Sequence, residues 1–261
     1  MQIETAFQEV QLPIRQTKPR KTGKTMMIDW GLPLSQQISV AKSAGAYIDM
    51  AKIAGTIAGL MPKDVLKQKL ANYQSADIST SQGGLFTEYA YLQGKFEPFF
   101  KEVSELGFSA VEISDNLLNW SLKEKRQTIR LAIDDFDLKV LGEVGRKEGF
   151  MSDDEVIEDL EICLEAGVSA VFVEAYELFA GEEIRSAPIA RIAKMFPPEK
   201  IIYELPVVVL PGISREFKHK TCSWMVEEFG GDVNLANVEW DEIWMTEMLR
   251  RRIADNLDTA S

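Results

Sequence analysis

The sequence predicts an α/β fold, a single (β/α)8 TIM barrel with an irregular N-terminal lead-in. Short apolar segments alternate with helical patterns eight times along 261 residues, which is the count and length of such a barrel. Some strand segments, such as AVFVEA at 170–175 and KIIYELP at 200–206, are apolar over most of their length, which suits a parallel sheet covered on both faces. Since no change in composition marks a boundary, we expect a lead-in over residues 1–24 and one barrel domain over residues 25–261.

Each strand is predicted from a short apolar run and each helix from the amphipathic run that follows it. Ser152 and Glu155 form a capping-box pattern at a helix start, while Gly107 and Gly167 stand where helices should end. The third strand is short and polar and is the least well supported. The strands are expected at 25–30, 47–53, 77–80, 110–114, 138–144, 170–175, 200–205 and 233–236. The helices are expected near 35–44, 63–74, 87–106, 121–135, 152–166, 188–196, 214–229 and 241–252.

The alternative fold is a doubly wound open sheet. Such a sheet usually carries a glycine-rich dinucleotide-binding fingerprint after its first strand. The segment TMMIDWGLP at 25–33 has no such pattern, which favours the closed barrel.

Charge and composition exclude several classes of function. The net charge is −12 and the isoelectric point is near 4.8, so a surface that binds nucleic acid or anionic membrane is not expected. Cys163 and Cys222 are the only cysteines, and their wide separation suggests neither a disulfide framework nor a thiolate metal site. Without a signal-like or membrane-spanning apolar run, we expect a cytoplasmic protein. The basic stretch at 15–24 is expected to be irregular, solvated chain.

Acidic side chains gather where the predicted strands end, which is where barrel enzymes carry their reactive groups. Glu143, Glu174 and Glu204 end three consecutive strands, and burying them is costly unless they are paired or bind a metal. Oxygen ligands favour Mg²⁺, since the single histidine, His219, cannot build an imidazole site. Alternatively, the glutamates form salt bridges at the barrel rim with Lys52, Arg146 and Lys147.

The segment DLKVLGEVGRK, residues 137–147, passes from a buried-strand pattern into charged residues. Lys147 follows Gly145, where the chain must turn sharply, so its side chain can reach over the barrel mouth. Near a metal ion and other cations its pKa would fall, which would make it a usable general acid. The alternative is a solvated loop lysine.

Several blocks in one order resemble a known family, phosphosulfolactate synthase, which adds sulfite to phosphoenolpyruvate in coenzyme M biosynthesis. The resemblance covers roughly residues 18–259. The matching blocks are KPRKTGKTMMID, AGAYIDMAK, GGLFTEYAYLQGKFEPF, ELGFSAVEISD, KVLGEVGRK, AGVSAVFVEA, VNLANV and LRRRIADNLDT.

The resemblance implies a Mg²⁺-dependent (β/α)8 barrel that acts as a carbon–sulfur lyase in the synthetic direction. Sulfite would attack C3 of phosphoenolpyruvate, and Mg²⁺ would stabilise the resulting enolate-like dianion. Lys147 matches the family's proposed acid, which would protonate C2. By position, Lys52 is a further catalytic residue, and Glu143, Glu174 and Glu204 form the metal shell. The implied substrate-binding residues are Arg146, Glu88, Glu112, Asp115 and Asn234.

The loops depart from the family pattern at three places. After strand two a tryptophan is lost, and after strand six Tyr176 stands where the family has an arginine. The loop after strand seven is longer and contains the apolar run VVVLPG. Arg215, Lys218, His219 and Lys220 either replace the lost arginine or form a solvated helix face, and the latter is favoured.

These departures keep two other functions open. A paralogue could use a different anionic substrate or nucleophile, or the chain could be a non-catalytic relative like the plant heat-stress-associated proteins. Small anions are the expected partners in either enzymatic case. Trp224, Trp240 and Trp244 on the C-terminal helices leave room for an interface between copies of the chain.

Overall fold

Eight parallel strands close into a barrel in a computed structural model that describes residues 6, 7, 9–118, 120–146, 151–181, 183–209 and 211–253. We number the barrel strands β1 to β8 along the chain. Each strand pairs with its sequence neighbours, and β1 pairs with β8 to close the barrel. The predicted TIM barrel is therefore confirmed, and the open-sheet alternative is wrong.

All eight predicted strands are present, although some of their bounds move. The eighth begins two residues later than expected, and the third is shifted in the same direction. The strands are β1 Thr25–Asp29, β2 Met50–Ile53, β3 Ser79–Gln82, β4 Ala110–Ile113, β5 Val140–Val144, β6 Ala170–Val173, β7 Ile201–Glu204 and β8 Leu235–Val238.

The helix expected near 87–106 is two helices, because Gly94 adopts a left-handed φ of +63° between them. A short hairpin, which pairs 179–180 with 183–184, was not predicted. The helices are α1 Leu34–Ala44, α2 Lys63–Ser75, α3 Gly84–Leu92, α4 Phe96–Leu106, α5 Leu122–Asp134, α6 Asp153–Glu165, α7 Ala175–Leu178, α8 Ser186–Met195, α9 Arg215–Phe229 and α10 Ile243–Arg250. Short 3₁₀ turns cover Gly45–Tyr47, Ile57–Leu60 and Pro198–Lys200.

Local signals behave as expected at the helix ends. Ser152 caps α6 in a complete capping box with Glu155, and Gly107 ends α4 at a φ of +88°. Within the described chain, no helix combines the length and apolarity that a bilayer crossing requires. Cys163 and Cys222 are both buried, and neither takes part in a disulfide within the described residues.

The barrel interior is apolar at its centre and charged at one end. A small apolar cluster fills the inside, and a much larger one lies between the strands and the helices. Side chains alternate along a strand, so the next inward position towards the carboxyl end of β2, β4, β5 and β7 is charged in each case. The inner cluster is Met26, Met50, Ala110, Leu141, Ala170, Phe172, Ile202 and Ala236. The charged positions are Lys52, Glu112, Glu143 and Glu204.

The described residues of the lead-in have no regular secondary structure, but the basic stretch at 15–24 is not the solvated chain that we expected. The Arg20 guanidinium is buried and binds both oxygens of Asp49 at 3.0 Å. Arg15 lies 3.2 Å from Glu247, and Lys18 donates to the carbonyl of Gly45 at 3.0 Å. Because Asp49 immediately precedes β2, these contacts tie the lead-in to the amino-terminal end of the barrel.

Candidate active site

A buried ammonium lies at the centre of the charged end of the barrel. Lys52 Nζ donates to Glu112 Oε1 at 3.0 Å and to Glu204 Oε1 at 2.8 Å. The same nitrogen lies 4.9 Å from the ring centre of Phe172, which forms the floor beneath it. All three polar residues stand on strands that face each other across the barrel, so the ion pairs are formed by the closure of the sheet.

Three carboxylates form the oxygen cluster of this site. Glu112, Glu143 and Glu204 each place an oxygen within 4.8 Å of the other two, and all three side chains are buried. With Lys52, this set carries two uncompensated negative charges when every carboxyl is ionised, which is costly in a buried site. Glu112 Oε2 accepts no hydrogen bond from a donor within the described chain. A divalent cation would satisfy that oxygen and cancel the excess charge, so the residues fit a metal ion with oxygen ligands.

The pKa values reflect this crowding. Burial disfavours the charged form of Lys52, but Glu112, Glu204 and Glu143 outweigh it and hold the pKa of the ammonium well above its ordinary range. Burial raises the pKa of Glu112 well above its usual value, with Lys52 opposing and Glu143 and Glu204 adding to the rise. The lysine is therefore a fixed cation, and protons compete with a metal ion for Glu112.

The glycine pair at the start of α3 allows that helix to approach the site. A Cβ on Gly84 would lie 2.2 Å from Ser114 Oγ and 3.4 Å from Glu112 Oε1. A Cβ on Gly83 would lie 3.0 Å from the carbonyl oxygen of Ile53. Side chains at these two positions would collide with β2 and with the end of β4, so the two glycines allow α3 to pack directly against these strands.

Glu88, one of the residues expected to bind substrate, holds the loop after β4. Its two carboxylate oxygens accept from Ser114 Oγ at 2.5 Å and from the backbone N–H groups of Asn116, Leu117 and Leu118 at 3.1, 2.7 and 3.1 Å. These donors use the carboxylate of a buried side chain fully. Its contacts are those of a residue that shapes the rim of the site.

Asp115 is likewise occupied by a protein partner. Lys125, which is fully buried, donates to Asp115 at 3.0 Å, to Asp159 at 2.7 Å and to the carbonyl of Glu143 at 2.7 Å. Burial raises the pKa of Asp115 to about 6, although Lys125 opposes the rise. The network lies behind β5 and supports the strand that carries Glu143.

Glu174, the remaining residue of the expected metal shell, lies outside the group of close carboxylate oxygens. Within the described residues, the carboxylate oxygens that lie close together belong to Glu112, Glu143 and Glu204, so Glu112 takes the place expected for Glu174. The register explains this difference, since Glu143 pairs with Phe172, and Glu174 lies two residues further along the chain. Its Cβ instead lies 2.6 Å from the position that a Cβ on Gly145 would take. The absence of a side chain at Gly145 lets β5 and β6 end in close contact.

Asn234 lies at the other end of the barrel from the acidic cluster. It precedes β8, and its side chain donates to the carbonyls of Pro198 and Ile201 and accepts from the N–H of Lys24. The expectation that it ends a strand was wrong, because β8 begins at Leu235. It fastens chain segments at the amino-terminal face.

The predicted proton donor, Lys147, lies outside the described residues. Its neighbour Arg146 has an exposed side chain, and the Arg146 backbone N–H donates to Glu177 at 3.2 Å. The N–H of Met151 donates to both oxygens of Glu177 at 3.2 Å, and Arg185 pairs with the same carboxylate at 3.3 Å. Glu177 thus fixes the chain on both sides of residues 147–150.

The cations of α9 do not form a free anion-binding surface. Lys218 is buried and lies 2.9 Å from Glu242, and Arg215 lies 3.0 Å from Asp241. His219 is partly exposed, with Nε2 3.5 Å from Glu242. The predicted solvated helix face therefore holds for Lys220, which is exposed, whereas Arg215 and Lys218 form ion pairs with acidic side chains.

Asn116 and Glu177 were not predicted from the sequence. Asn116 Nδ2 donates to Glu143 Oε1 at 2.5 Å, which brings a loop residue into the acidic cluster. Asn116 directly follows the EISD block, but a loop asparagine has no periodic pattern that distinguishes it. Glu177 lies on α7, a helix of one turn that no amphipathic pattern indicated.

Fold and site together define a (β/α)8-barrel protein whose buried acidic cluster could hold a metal ion. The chain belongs to the (2R)-phospho-3-sulfolactate synthase (ComA) family, whose model matches residues 13–256. The phosphosulfolactate synthase of Methanocaldococcus jannaschii is 34% identical over 240 residues, covering 88% of this chain and 91% of that protein. Protein HEAT-STRESS-ASSOCIATED 32 of Arabidopsis thaliana is 26% identical, covering 91% and 89%.

A solved structure supports the fold alone. The 3-hexulose-6-phosphate synthase of Salmonella typhimurium superposes with a TM-score of 0.55 at 12% identity, covering 87% of this chain and 99% of that one. The family itself rests on the family model and the relatives named above, and it agrees with the resemblance found in the sequence blocks.

Proposed function

We propose that the protein is a phosphosulfolactate synthase, a carbon–sulfur lyase that adds sulfite to phosphoenolpyruvate. The buried cluster of Lys52 with Glu112, Glu143 and Glu204 is the observation that carries the proposal. A reaction that develops negative charge on a small anion requires concentrated positive charge in a site shielded from water. The carboxyl end of the barrel provides a fixed ammonium and a set of oxygen ligands for a cation.

Glu112, Glu143 and Glu204 would hold Mg²⁺ in this proposal. When bound, the ion would supply positive charge next to the substrate carboxylate. Lys52 would contribute a second positive charge as a permanent ammonium, because its high pKa makes it a poor proton donor. It would keep Glu112 and Glu204 oriented towards the cation.

The remaining roles follow the family resemblance. Lys147 would deliver the proton to C2, and Arg146, whose side chain is exposed, would contact the phosphate. Glu177 supports this assignment because it fixes the N–H groups of Arg146 and Met151 on the two sides of the segment. Asp115 and Glu88 would act on the substrate through the loops that they hold.

The reaction is tested by incubating the purified protein with phosphoenolpyruvate, sulfite and Mg²⁺ and following phosphosulfolactate by mass spectrometry. Lys147→Ala should lower kcat by about 100-fold or more, as expected for loss of a general acid. Lys123→Ala, which removes an exposed lysine from α5, is the matched control and should leave kcat unchanged. Absence of product with the wild-type protein at high concentration would contradict the proposed function.

The metal shell is tested by binding of Mn²⁺, measured by electron paramagnetic resonance and displaced by Mg²⁺. Glu204→Gln should weaken binding at least tenfold, since it removes a charged ligand. The same measurement on Glu174→Gln examines the remaining glutamate of the predicted shell. If Glu174→Gln binds Mn²⁺ with unchanged affinity, Glu174 is not a ligand. If Glu204→Gln does so, the cluster of Glu112, Glu143 and Glu204 is not a metal site.

A different anionic substrate is the second candidate, and Tyr176 favours it. This half-exposed side chain stands where the family pattern has an arginine. If the substrate has changed, phosphoenolpyruvate should fail to protect the protein against thermal unfolding in the presence of Mg²⁺. A non-catalytic protein, the other alternative, would bind neither phosphoenolpyruvate nor other small phosphorylated acids in that assay.

We also propose a cytoplasmic location and assembly with further copies of the chain. Two buried cysteines that form no disulfide within the described residues suit a reducing compartment. Trp240 and Trp244 have exposed fractions of 39% and 51%, and exposed large aromatic residues often mark an interface. Light scattering of the purified protein would test the assembly, and a monomer at micromolar concentration would exclude it.

A further inference from the structure

Asn116 enters the acidic cluster from a loop and binds one of its carboxylates. Its Nδ2 donates to Glu143 Oε1 at 2.5 Å, and the side chain is 8% exposed. Glu143 in turn lies within 4.8 Å of Glu112 and Glu204. Asn116 therefore binds one of the three carboxylates of the cluster, without adding a charge to a site that already carries excess negative charge.

The loop that carries Asn116 is held in a defined position. Glu88 accepts the backbone N–H of Asn116 at 3.1 Å and those of the next two residues at 2.7 and 3.1 Å. Three consecutive N–H groups bound to one carboxylate leave this stretch of backbone little freedom. The backbone of Asn116 is thus fixed by one glutamate and its side chain by another, so the carboxamide is pre-organised.

The carboxamide oxygen of Asn116 has no partner. Oδ1 is buried and receives no hydrogen bond from any described residue, and the same is true of Glu112 Oε2. A buried acceptor without a donor costs about 1–3 kcal/mol, so two of them around one carboxylate require an explanation. The opposite carboxamide orientation would turn Oδ1 towards the Glu143 carboxylate, where two acceptors would repel each other. The observed orientation therefore keeps Oδ1 free for another group.

We propose that Asn116 is a ligand of the cation held by this site, and that its Oδ1 is the neutral oxygen that completes the set formed by Glu112, Glu143 and Glu204. Hard divalent cations accept carboxamide oxygens together with carboxylates. A neutral fourth ligand suits the site, because one divalent cation already cancels the two excess charges. The inference deepens the proposed function and rests on the cation that it invokes.

The test uses Mn²⁺ as the probe, with no substrate present. Affinity is measured by electron paramagnetic resonance, and the number of water molecules on the bound ion by water-proton relaxation. Asn116→Ala should weaken binding at least tenfold and add one bound water. Asn116→Asp keeps an oxygen at this position and replaces the donor to Glu143 with a second acceptor. Because a bound cation attracts both carboxylates, this variant should stay within about threefold of wild type with an unchanged water number.

Two further variants keep the experiment decisive. If Asn116→Ala does not fold, Asn116→Ser takes its place. Its polar side chain is too short to reach the ion, so it should show the same tenfold weaker binding and the same added water. The matched control is Asn72→Ala, which removes an asparagine that donates to Gln37 at 3.3 Å away from the site. It should bind Mn²⁺ like wild type. Circular dichroism and the melting temperature of each variant establish that it is folded.

Two results would overturn the proposal. In one, Asn116→Ala or Asn116→Ser binds Mn²⁺ as tightly as Asn72→Ala, with the same water number. In the other, Asn116→Asp is weakened as far as Asn116→Ala, which would mean that the asparagine only orients Glu143 through Nδ2. Formation of phosphosulfolactate is assayed separately, so failure of this ligand assignment can be distinguished from failure of the proposed reaction.

Discussion

At the scale of single residues, Lys52 is the group on which the site depends most. Its ammonium pairs with Glu112 and Glu204, and these three side chains are almost completely buried. Removing one partner from a buried ion pair is much more costly than removing an exposed one, because the remaining charges lose their compensation without regaining water. Lys52 therefore stabilises the barrel as well as the charge balance of the site.

We expect Lys52→Met to lower the free energy of unfolding by about 3–5 kcal/mol in metal-free buffer, because three carboxylates then face each other without a cation. Urea denaturation at neutral pH measures the change. Lys63→Met is the matched control, since it removes an exposed lysine that pairs with Glu102 at 2.9 Å, and should leave the transition unmoved. Equal transitions for the two variants would show that the buried ion pairs contribute no stability.

Asp115 provides a prediction about pH. Burial raises its pKa from 3.8 to about 6 despite Lys125, so the folded protein holds this proton more tightly than the unfolded chain. The associated stability is complete below about pH 4 and is lost as the pH rises through about 6. Since one pKa unit corresponds to about 1.4 kcal/mol, the loss should approach about 3 kcal/mol.

Asp115→Asn removes this titration. The free energy of unfolding of the wild type minus that of Asp115→Asn should therefore fall between pH 4 and pH 6 and then remain level. Denaturant unfolding at half-unit steps of pH gives both curves. A constant difference across this interval would mean that the carboxyl of Asp115 titrates alike in the folded and unfolded chains.

At the scale of elements, the packing of α3 against the barrel decides the shape of the site. The helix starts at Gly84, where an added Cβ would meet Ser114 and Glu112. It also carries Glu88, which holds the loop after β4. One helix thus sets the positions of a strand-end carboxylate and of the loop that contains Asn116. The double glycine is the sequence feature that permits this approach.

Gly84→Ala should disturb this packing. The added Cβ would lie 2.2 Å from Ser114 Oγ, a distance that forces the helix or the strand to move. We expect a loss of about 1–3 kcal/mol in unfolding free energy together with weaker Mn²⁺ binding. Thermal unfolding and Mn²⁺ titration measure the two effects. Gly45→Ala, where the nearest atom is 3.8 Å away, is the control and should retain both properties. Retention of both by Gly84→Ala would disprove the close contact.

The elements also show what a sequence can and cannot predict. The barrel could be predicted from apolar runs with helical patterns between them, because the apolar residues of a run indicate by themselves that the strand is buried. Glu143 and Glu204 were found because they end such runs, whereas Asn234 was misplaced by a shift of two residues in β8. The role of Glu88 depends on donors from a loop about 30 residues away, and no local pattern records that contact. Asn116 remained undetected for the same reason.

At the scale of the whole molecule, the candidate site and the contacts of the lead-in lie at opposite ends of the barrel. The carboxyl end holds the acidic cluster, whereas the amino end is closed by the lead-in through Arg15, Lys18 and Arg20. Arg20 binds Asp49 and also donates to the carbonyls of Gln16 and Ala46 at 2.7 Å. The interior cluster of apolar side chains lies between the two ends. Changes at one end should therefore leave the chemistry at the other end intact.

Arg20→Met tests this separation. It leaves Asp49 buried without its cation, although the N–H of Thr25 still donates to that carboxylate at 2.9 Å, so we expect a loss of about 3 kcal/mol in unfolding free energy. Lys21→Met, at the exposed neighbouring position, is the control and should unfold like wild type. Well below the melting temperature, both variants should bind Mn²⁺ with wild-type affinity, because the oxygen cluster stands on strands that the apolar interior holds in place. A large loss of Mn²⁺ affinity in folded Arg20→Met would show instead that the lead-in supports the site through the length of the barrel.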